Sequence, residues 1–203
     1  MALTKKRAKI ESCYRPVELR KGVLSRGVFS YVEHNSGVES EEKWPLGELG
    51  EEDSPVLYAA KYLAENKNEQ SIIFLPDKPA TERLGSKLKE IVELPPAAGA
   101  IQDLRSFEDS YSKDLLSSFL EKGIAIHNAD LSWEERYLVE KHFCAGEIRI
   151  LLSTSTLAMG INMPAKNVFI PEKKWNTPRQ GNQLAMTDIS KAEHEICADG
   201  QGG

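Results

Sequence analysis

Apolar and polar positions along the chain follow two periods, and their succession predicts a layered α/β domain. Compact apolar runs, which are typical of buried strands, occupy residues 71–76, 124–126, 148–153 and 166–170. After the first run, Leu84, Leu88 and Ile91 recur at helical spacing. Strands that alternate with helices form a parallel sheet with helices on both faces, and this three-layer α/β architecture is the fold that we predict.

Two further helices are predicted from their first residues. Ser54 is a suitable N-cap and Pro55 fits the first helical position, so we predict a helix from residue 54 to about residue 66. Ser132 and Glu135 have the spacing of a capping box, in which each side chain satisfies a backbone N–H of the other residue. We therefore predict that a helix begins at Ser132 and stops at Gly146.

A longer amphipathic helix is predicted in the middle of the chain. Its apolar positions, which end near residue 123, are Leu104, Tyr111, Leu115 and Phe119. The last thirty residues lose the alternation of strands and helices, and a short helix at about 188–197 is the one element that we predict there.

The N-terminal part of the chain has a different pattern. Polar and apolar residues alternate on both sides of Ser25-Arg26-Gly27, which predicts a β-hairpin at about residues 22–33. Residues 35–53 are rich in Glu and Gly and are predicted to form an exposed acidic loop. We therefore divide the chain into an N-terminal extension at 1–53, an α/β domain at 54–198 and a flexible tail at 199–203.

Composition limits the classes of function. Hydrophobic residues make up 40% of the 203 residues, which is enough to build a core. The net charge of −5 gives no general attraction for nucleic acid, so any such contact must be local. Because the chain has no apolar run of about 20 residues and no signal-peptide pattern, we expect a soluble intracellular protein without a membrane partner, cytoplasmic or, in a eukaryote, nuclear. Its three cysteines form no CxxC pair, so we expect free thiols and no metal site.

Candidate chemistry lies directly after two of the predicted strands, because ligands of parallel sheets bind at the carboxyl ends of the strands. Hydroxyl side chains end the run at 148–153 and continue directly after it, in the order Ser153-Thr154-Ser155-Thr156. Hydroxyls and free backbone N–H groups at the start of a helix suit a phosphate group. Such a segment is more often a simple helix cap, and both interpretations stay open on these residues alone.

The second candidate position follows the run at 124–126. His127 comes directly after that strand, and Arg136 lies on the helix that comes next. A lone histidine in this place is more often a structural hydrogen-bonding residue than a catalyst. No second His or Cys lies at ligand spacing, so the pattern gives no support for a metal site.

Residues 123–170 resemble the second RecA-like domain of superkiller-type, DEAD/DEAH-like superfamily 2 helicases, a group that includes RNA-exosome helicases and archaeal DNA-repair helicases. The segment STSTLAMGINMPA is similar to motif V of that group, and SIIFLPDK at 71–78 is similar to motif IV. HNADL resembles the HHAGL-type motif, although Asn128 and Asp130 replace its usual His and Gly. Residues 15–37 resemble the strands that lead into this domain.

The resemblance implies a role for each candidate residue. His127 and Arg136 would support or touch the nucleic-acid backbone. Gly160 and Asn162 would face ATP, with Asn162 near the ribose. The residues that would hold the phosphates of a single DNA or RNA strand are those of motif V, Thr154, Ser155 and Thr156. Contacts with phosphates are independent of base sequence, as a translocating motor requires.

Two departures from the family limit the activity that the resemblance implies. The chain has no GxxxxGK[ST] loop and no acidic box for Mg²⁺. ATP and Mg²⁺ are therefore expected in a longer protein that also contains the first RecA-like domain, and the isolated chain is expected to bind no cofactor tightly and to be inactive. At the place of motif VI, Gly200 and Gly203 stand where the family has arginines.

The segment that contains these glycines has three open interpretations. The chain is a helicase lobe that has lost its arginine finger by natural decay, or its recorded end is divergent or altered. The third interpretation is that this segment aligns with a different part of the family's sequence. The leading functional hypothesis is the C-terminal lobe of an ATP-dependent helicase. The alternative is a non-catalytic module that keeps the fold and binds nucleic acid or a protein.

Overall fold

The computed structural model describes residues 17–47, 54–154 and 163–171. By their contacts, the residues divide into two compact units, 1–49 and 50–203. The predicted helix at 188–197 and the tail at 199–203 lie outside the described residues. Within the part of the chain that is described, no helix is long and apolar enough to cross a membrane.

The first unit is a three-stranded antiparallel sheet of β1 (Arg20–Ser25), β2 (Val28–Glu33) and β3 (Glu39–Lys43), in the order β1-β2-β3. The predicted hairpin is confirmed: Arg26 and Gly27 connect β1 to β2 with φ angles of 49° and 75°. Positive φ at both residues is the geometry of a type I′ turn, whose twist matches that of the flanking strands.

The acidic segment at 35–53 was predicted as a loop, and that prediction is wrong where β3 forms. The sequence of β3 is ESEEK, which lacks the apolar alternation of a half-buried strand. Its backbone pairs with β2 along five residues, so hydrogen bonding along the neighbouring strand forms the element. An edge strand rich in charge also resists pairing with other chains.

The second unit contains a four-stranded parallel sheet in the order β5-β6-β4-β7. Its strands are β4 (Ser71–Phe74), β5 (Ile124–His127), β6 (Ile150–Ser153) and β7 (Asn167–Phe169). All four apolar runs predicted as strands form strands, and those of β4, β5 and β6 are buried throughout. The strand at 166–170 was predicted to be buried, but β7 lies at the edge of the described sheet and leaves Val168 exposed.

Helices pack on this sheet as predicted, with one correction. The helices are α1 (Pro55–Asn66), α2 (Lys78–Ile91), α3 (Ala98–Leu104), α4 (Tyr111–Leu120) and α5 (Trp133–Cys144). The single long helix expected to carry Leu104 and Phe119 is divided into α3 and α4. The division occurs because the Ser110 hydroxyl accepts a hydrogen bond from the Lys113 N–H at 3.1 Å and thereby starts a new helix.

The end of α4 and the end of α5 both turn at a glycine with positive φ. Gly123 has φ of 62°, and a β-carbon there would lie 2.9 Å from the carbonyl oxygen of Pro95. Gly146 has φ of 78°, but a β-carbon there would meet no atom within 4 Å. Both turns therefore require a residue with positive φ, but only at Gly123 is there too little space for a β-carbon.

We predict that Gly123→Ala lowers the free energy of unfolding more than Gly146→Ala does. Each substitution costs about 1–2 kcal/mol because alanine is strained at positive φ. At Gly123, overlap with the Pro95 carbonyl adds roughly 1–3 kcal/mol. Urea unfolding of the two variants measures the difference, and equal losses would contradict the predicted overlap.

Candidate nucleic-acid interface

The pairing register brings the carboxyl ends of three strands to one edge of the sheet. Phe74 of β4 lies beside Ser153 of β6, and Ser153 lies beside His127 of β5. Hydrogen bonds continue beyond the strands: the Leu75 N–H donates to the Ser153 carbonyl at 2.7 Å, and the Thr154 N–H donates to the His127 carbonyl at 3.2 Å. We call this the carboxyl edge, and it is where both sequence-predicted candidate positions begin.

The hydroxyl-rich segment starts from a fixed position at this edge. Thr154 is the first residue after β6 and is 7% exposed. Beside it, the Ser153 hydroxyl donates to the His127 carbonyl at 3.0 Å, which ties β6 to the end of β5. The other candidate residues of this segment, Ser155, Thr156, Gly160 and Asn162, lie outside the described residues.

His127 is a buried residue that is only 2% exposed. Its Nε2 atom lies 3.0 Å from Oε1 of Glu140 on α5, while Nδ1 has no hydrogen-bond partner. Burial lowers the pKa of His127, and it outweighs the opposing effect of the Glu140 carboxylate. The imidazole is therefore held neutral beneath the edge, and Glu140 fixes its orientation.

Arg136 lies one turn into α5 and is half-buried. Its Nε donates to the Ser132 carbonyl at 3.4 Å, and its positive charge contributes to the low pKa of His127. The capping box that starts this helix is present as predicted: Ser132 accepts from the Glu135 N–H at 3.1 Å, and Glu135 accepts from the Ser132 N–H at 2.7 Å. The helix start that carries Arg136 is thus rigidly tied to the loop after β5.

Sequence reasoning missed two residues of α2 that belong to the same edge. Lys78 forms an ion pair with Asp130 of the loop after β5. Thr81 is fully buried, and its hydroxyl accepts a hydrogen bond from the Asn128 side-chain amide at 3.3 Å. A signal for Lys78 was available, because it comes shortly after β4 at the carboxyl end of a parallel strand, as Asp130 comes shortly after β5.

We predict that His127 makes folding less favourable in acid. Because its pKa is lower in the folded protein than the value of about 6.5 expected when unfolded, the unfolded chain binds the proton more readily. The contribution of His127 to stability is complete above the unfolded pKa and decreases as the pH falls below it. Urea unfolding of the wild type and of His127→Gln between pH 8 and pH 5.5 tests this prediction.

The free-energy difference between the two proteins isolates His127 from other titrating groups. That difference is expected to shift in favour of His127→Gln as the pH falls. A difference that is constant with pH, or that favours the wild type more strongly in acid, would contradict the buried neutral imidazole.

Comparisons with known proteins agree with this geometry. A family model described as the helicase conserved C-terminal domain matches residues 56–186. The ATP-dependent DNA helicase Hel308 of Caldivirga maquilingensis is 32% identical over 183 residues, which cover 85% of this chain and 22% of that protein. Hel308 of Pyrococcus abyssi is 33% identical over 165 residues, which cover 79% of this chain and 21% of that protein.

A eukaryotic relative shows a shorter match with a higher identity. The ATP-dependent DNA helicase MER3 of Saccharomyces cerevisiae is 51% identical over 67 residues, which cover 32% of this chain and 6% of that protein. The chain thus spans about a fifth of the length of the archaeal relatives. It belongs to the helicase conserved C-terminal domain family, whose members in superfamily 2 have this RecA-like fold, and it is similar to the archaeal DNA helicases.

Proposed function

We propose that the chain is the C-terminal lobe of an ATP-dependent DNA helicase and that its carboxyl edge grips the phosphates of one strand. The observation that carries the proposal is the alignment of Phe74, Ser153 and His127 in one row. Ser153 and Thr154, the first two residues of the motif V segment, therefore lie at the edge where parallel sheets bind their ligands.

The candidate residues at the carboxyl edge have different proposed roles toward the strand phosphates. Thr154, Ser155 and Thr156 would supply hydroxyl and backbone N–H donors, which hold a phosphate without reading the base. His127 is too deeply buried to meet a strand in this conformation, so its role is to support the loop from beneath. Arg136 is half-buried and would add positive charge beside the strand.

DNA is the proposed substrate because the named activities of the archaeal relatives and of MER3 are those of DNA helicases. The family also includes a DExH-box RNA helicase of Arabidopsis thaliana, which is 31% identical over 143 residues that cover 64% of this chain and 6% of that protein. An RNA oligonucleotide of the same length is therefore the comparison that distinguishes the two nucleic acids in each binding experiment below.

ATP would bind between this lobe and a first RecA-like lobe of the same protein. Gly160 and Asn162 are proposed to face the nucleotide from this side. The first lobe would supply the phosphate-binding loop and the acidic residues that hold Mg²⁺. A change in the distance between the lobes would then alter the hold of motif V on the strand, which couples hydrolysis to movement.

We predict weak, salt-sensitive binding of a single-stranded oligonucleotide by the 203-residue chain. Replacing Thr154 and Thr156 by Ala is expected to weaken binding at least about fivefold, because hydrogen bonds to charged phosphate oxygens are lost. Fluorescence anisotropy of a labelled oligothymidylate at several salt concentrations measures the affinity.

Ser118→Ala is the matched control for this experiment. It also removes a hydroxyl, but from α4, where the Ser118 hydroxyl donates to the Leu115 carbonyl away from the carboxyl edge. The Ser118→Ala variant should bind the oligothymidylate with the affinity of the wild type. An unchanged affinity in the double threonine variant would reject the proposed phosphate contacts.

We further predict that ATP hydrolysis requires the first lobe. The 203-residue chain should release no phosphate from ATP above background, whether or not single-stranded DNA is present. A longer protein that contains both lobes should hydrolyse ATP faster when single-stranded DNA is added. Phosphate release is the measurement, and the absence of stimulation in a protein with an intact Walker loop would contradict an active helicase.

That negative result would favour the second candidate, a non-catalytic module that binds nucleic acid or protein. Gly200 and Gly203 motivate it, because glycine cannot stabilise the charge of a transferring phosphate as an arginine finger does. Restoring arginine at both positions in the longer protein distinguishes a lost finger from an alignment that places these residues elsewhere. Recovered ATPase activity would assign the loss to the two glycines.

A further inference from the structure

Four residues at the carboxyl edge form a closed ring of contacts. The Thr81 hydroxyl donates to the Lys78 carbonyl at 2.7 Å and accepts from the Asn128 side-chain amide at 3.3 Å. The Asn128 side-chain carbonyl accepts from the Asp130 N–H at 3.0 Å. The Asp130 carboxylate then returns to the Lys78 ammonium as an ion pair. We call this arrangement the Lys78 ring.

The buried half of the ring fixes the exposed half. Asn128 is 1% exposed and Thr81 is fully buried, so their hydrogen bonds are sheltered from water. Together they set the position of the Asp130 backbone relative to that of Lys78. The loop after β5 and helix α2 therefore hold the Asp130 and Lys78 backbones at a fixed separation, which favours the ion pair between their side chains.

The exposed half of the ring is accessible to another anion. The side chain of Lys78 is 43% exposed and that of Asp130 is 56% exposed. Ion pairs with this exposure hold their partners weakly. The Lys78 ammonium has three N–H donors but a single positive charge, and the Asp130 carboxylate both neutralises that charge and repels a phosphate, so a strand that reaches Lys78 competes with Asp130 for it.

The Lys78 ring lies where the strand phosphates are proposed to bind, and the HHAGL-type motif does not contain it. Lys78 follows β4, and Asp130 follows β5, at the edge to which we assign the strand phosphates. Asn128 and Asp130 are also the two residues that depart from the HHAGL-type pattern, in which a glycine stands at the place of Asp130 and offers no carboxylate. The ring is thus a feature of this chain that the motif itself does not contain.

We propose that Asp130 is a built-in competitor of nucleic-acid phosphate for Lys78, positioned by Asn128 and Thr81, and that it weakens the hold of this lobe on a single strand. The inference rests on the proposed function, because it requires phosphates at the carboxyl edge. It names Lys78 as a phosphate-binding residue whose charge is masked until the strand displaces Asp130.

The test is a set of charge-removing variants of the 203-residue chain, titrated with labelled oligothymidylate. Asp130→Asn keeps the side-chain size and removes the carboxylate charge. Binding is expected to become about three- to tenfold tighter at low salt, because a repulsive charge is lost and Lys78 is freed. The plot of log affinity against log salt should steepen by about 0.7, the value for one additional phosphate contact on a single strand.

A double-mutant cycle assigns the gain to Lys78. Lys78→Gln alone is expected to weaken binding about two- to threefold, because it removes the ammonium and leaves the Asp130 carboxylate unpaired beside the strand. In the Asp130→Asn background the same substitution should abolish the gain in affinity and restore the original salt slope. Circular dichroism and thermal unfolding confirm that each variant is folded.

Glu69→Gln is the matched control for net charge. Glu69 pairs with Lys166 at 2.5 Å, next to the first residues of β4 and β7, and so at the opposite edge of the sheet. This variant also removes one negative charge and releases one lysine, but it should leave the affinity and the salt slope unchanged. An equal gain in Glu69→Gln would overturn the proposal, because the effect would then be one of net charge alone.

The outcomes separate this inference from the function on which it rests. If the wild type binds the oligonucleotide and the threonine variants weaken it, but Asp130→Asn has no effect, the competitor role is rejected and the proposed interface stands. If the wild type does not bind detectably but Asp130→Asn does, the competitor role is supported. If no variant binds at low salt, both proposals are rejected.

Discussion

The parallel, in-register pairing of β4, β6 and β5 is the constraint on which the rest of this lobe depends. Because Phe74, Ser153 and His127 stand side by side, three loops leave the sheet at one edge. The three strands are buried throughout, so their side chains form the core. The residues that follow the strands are the ones available to bind a ligand. A shift of register in any one strand would separate the groups that the proposed function brings together.

The same pairing explains why so many polar groups can lie under the carboxyl edge. Burying an amide, a hydroxyl or an imidazole is costly unless each finds a partner. The Asn128 amide donates to the Thr81 hydroxyl, and Nε2 of His127 pairs with Glu140, while Nδ1 of His127 has no hydrogen-bond partner. These bonds give the exposed loop a rigid base, which is what a site that grips a mobile strand requires.

Elements with local signals could be predicted from sequence, and contacts between distant residues could not. Arg26-Gly27 and the Ser132 capping box each act within a few residues, and both are present as predicted. The strand β3 was missed because its pairing with β2, and not its side-chain pattern, forms it. The Lys78–Asp130 pair joins residues 52 positions apart, so only the fold brings them together, although the place of each after a strand was a usable signal.

The most direct test of the account is to map where a single strand touches the folded lobe. Amide chemical shifts of the ¹⁵N-labelled 203-residue chain would be followed during titration with oligothymidylate at low salt. We predict the largest changes at the carboxyl edge, in residues 75–81, 127–132 and Thr154. Changes confined to the opposite edge, in residues 67–70 and 145–149, would contradict the assignment of the strand to this surface.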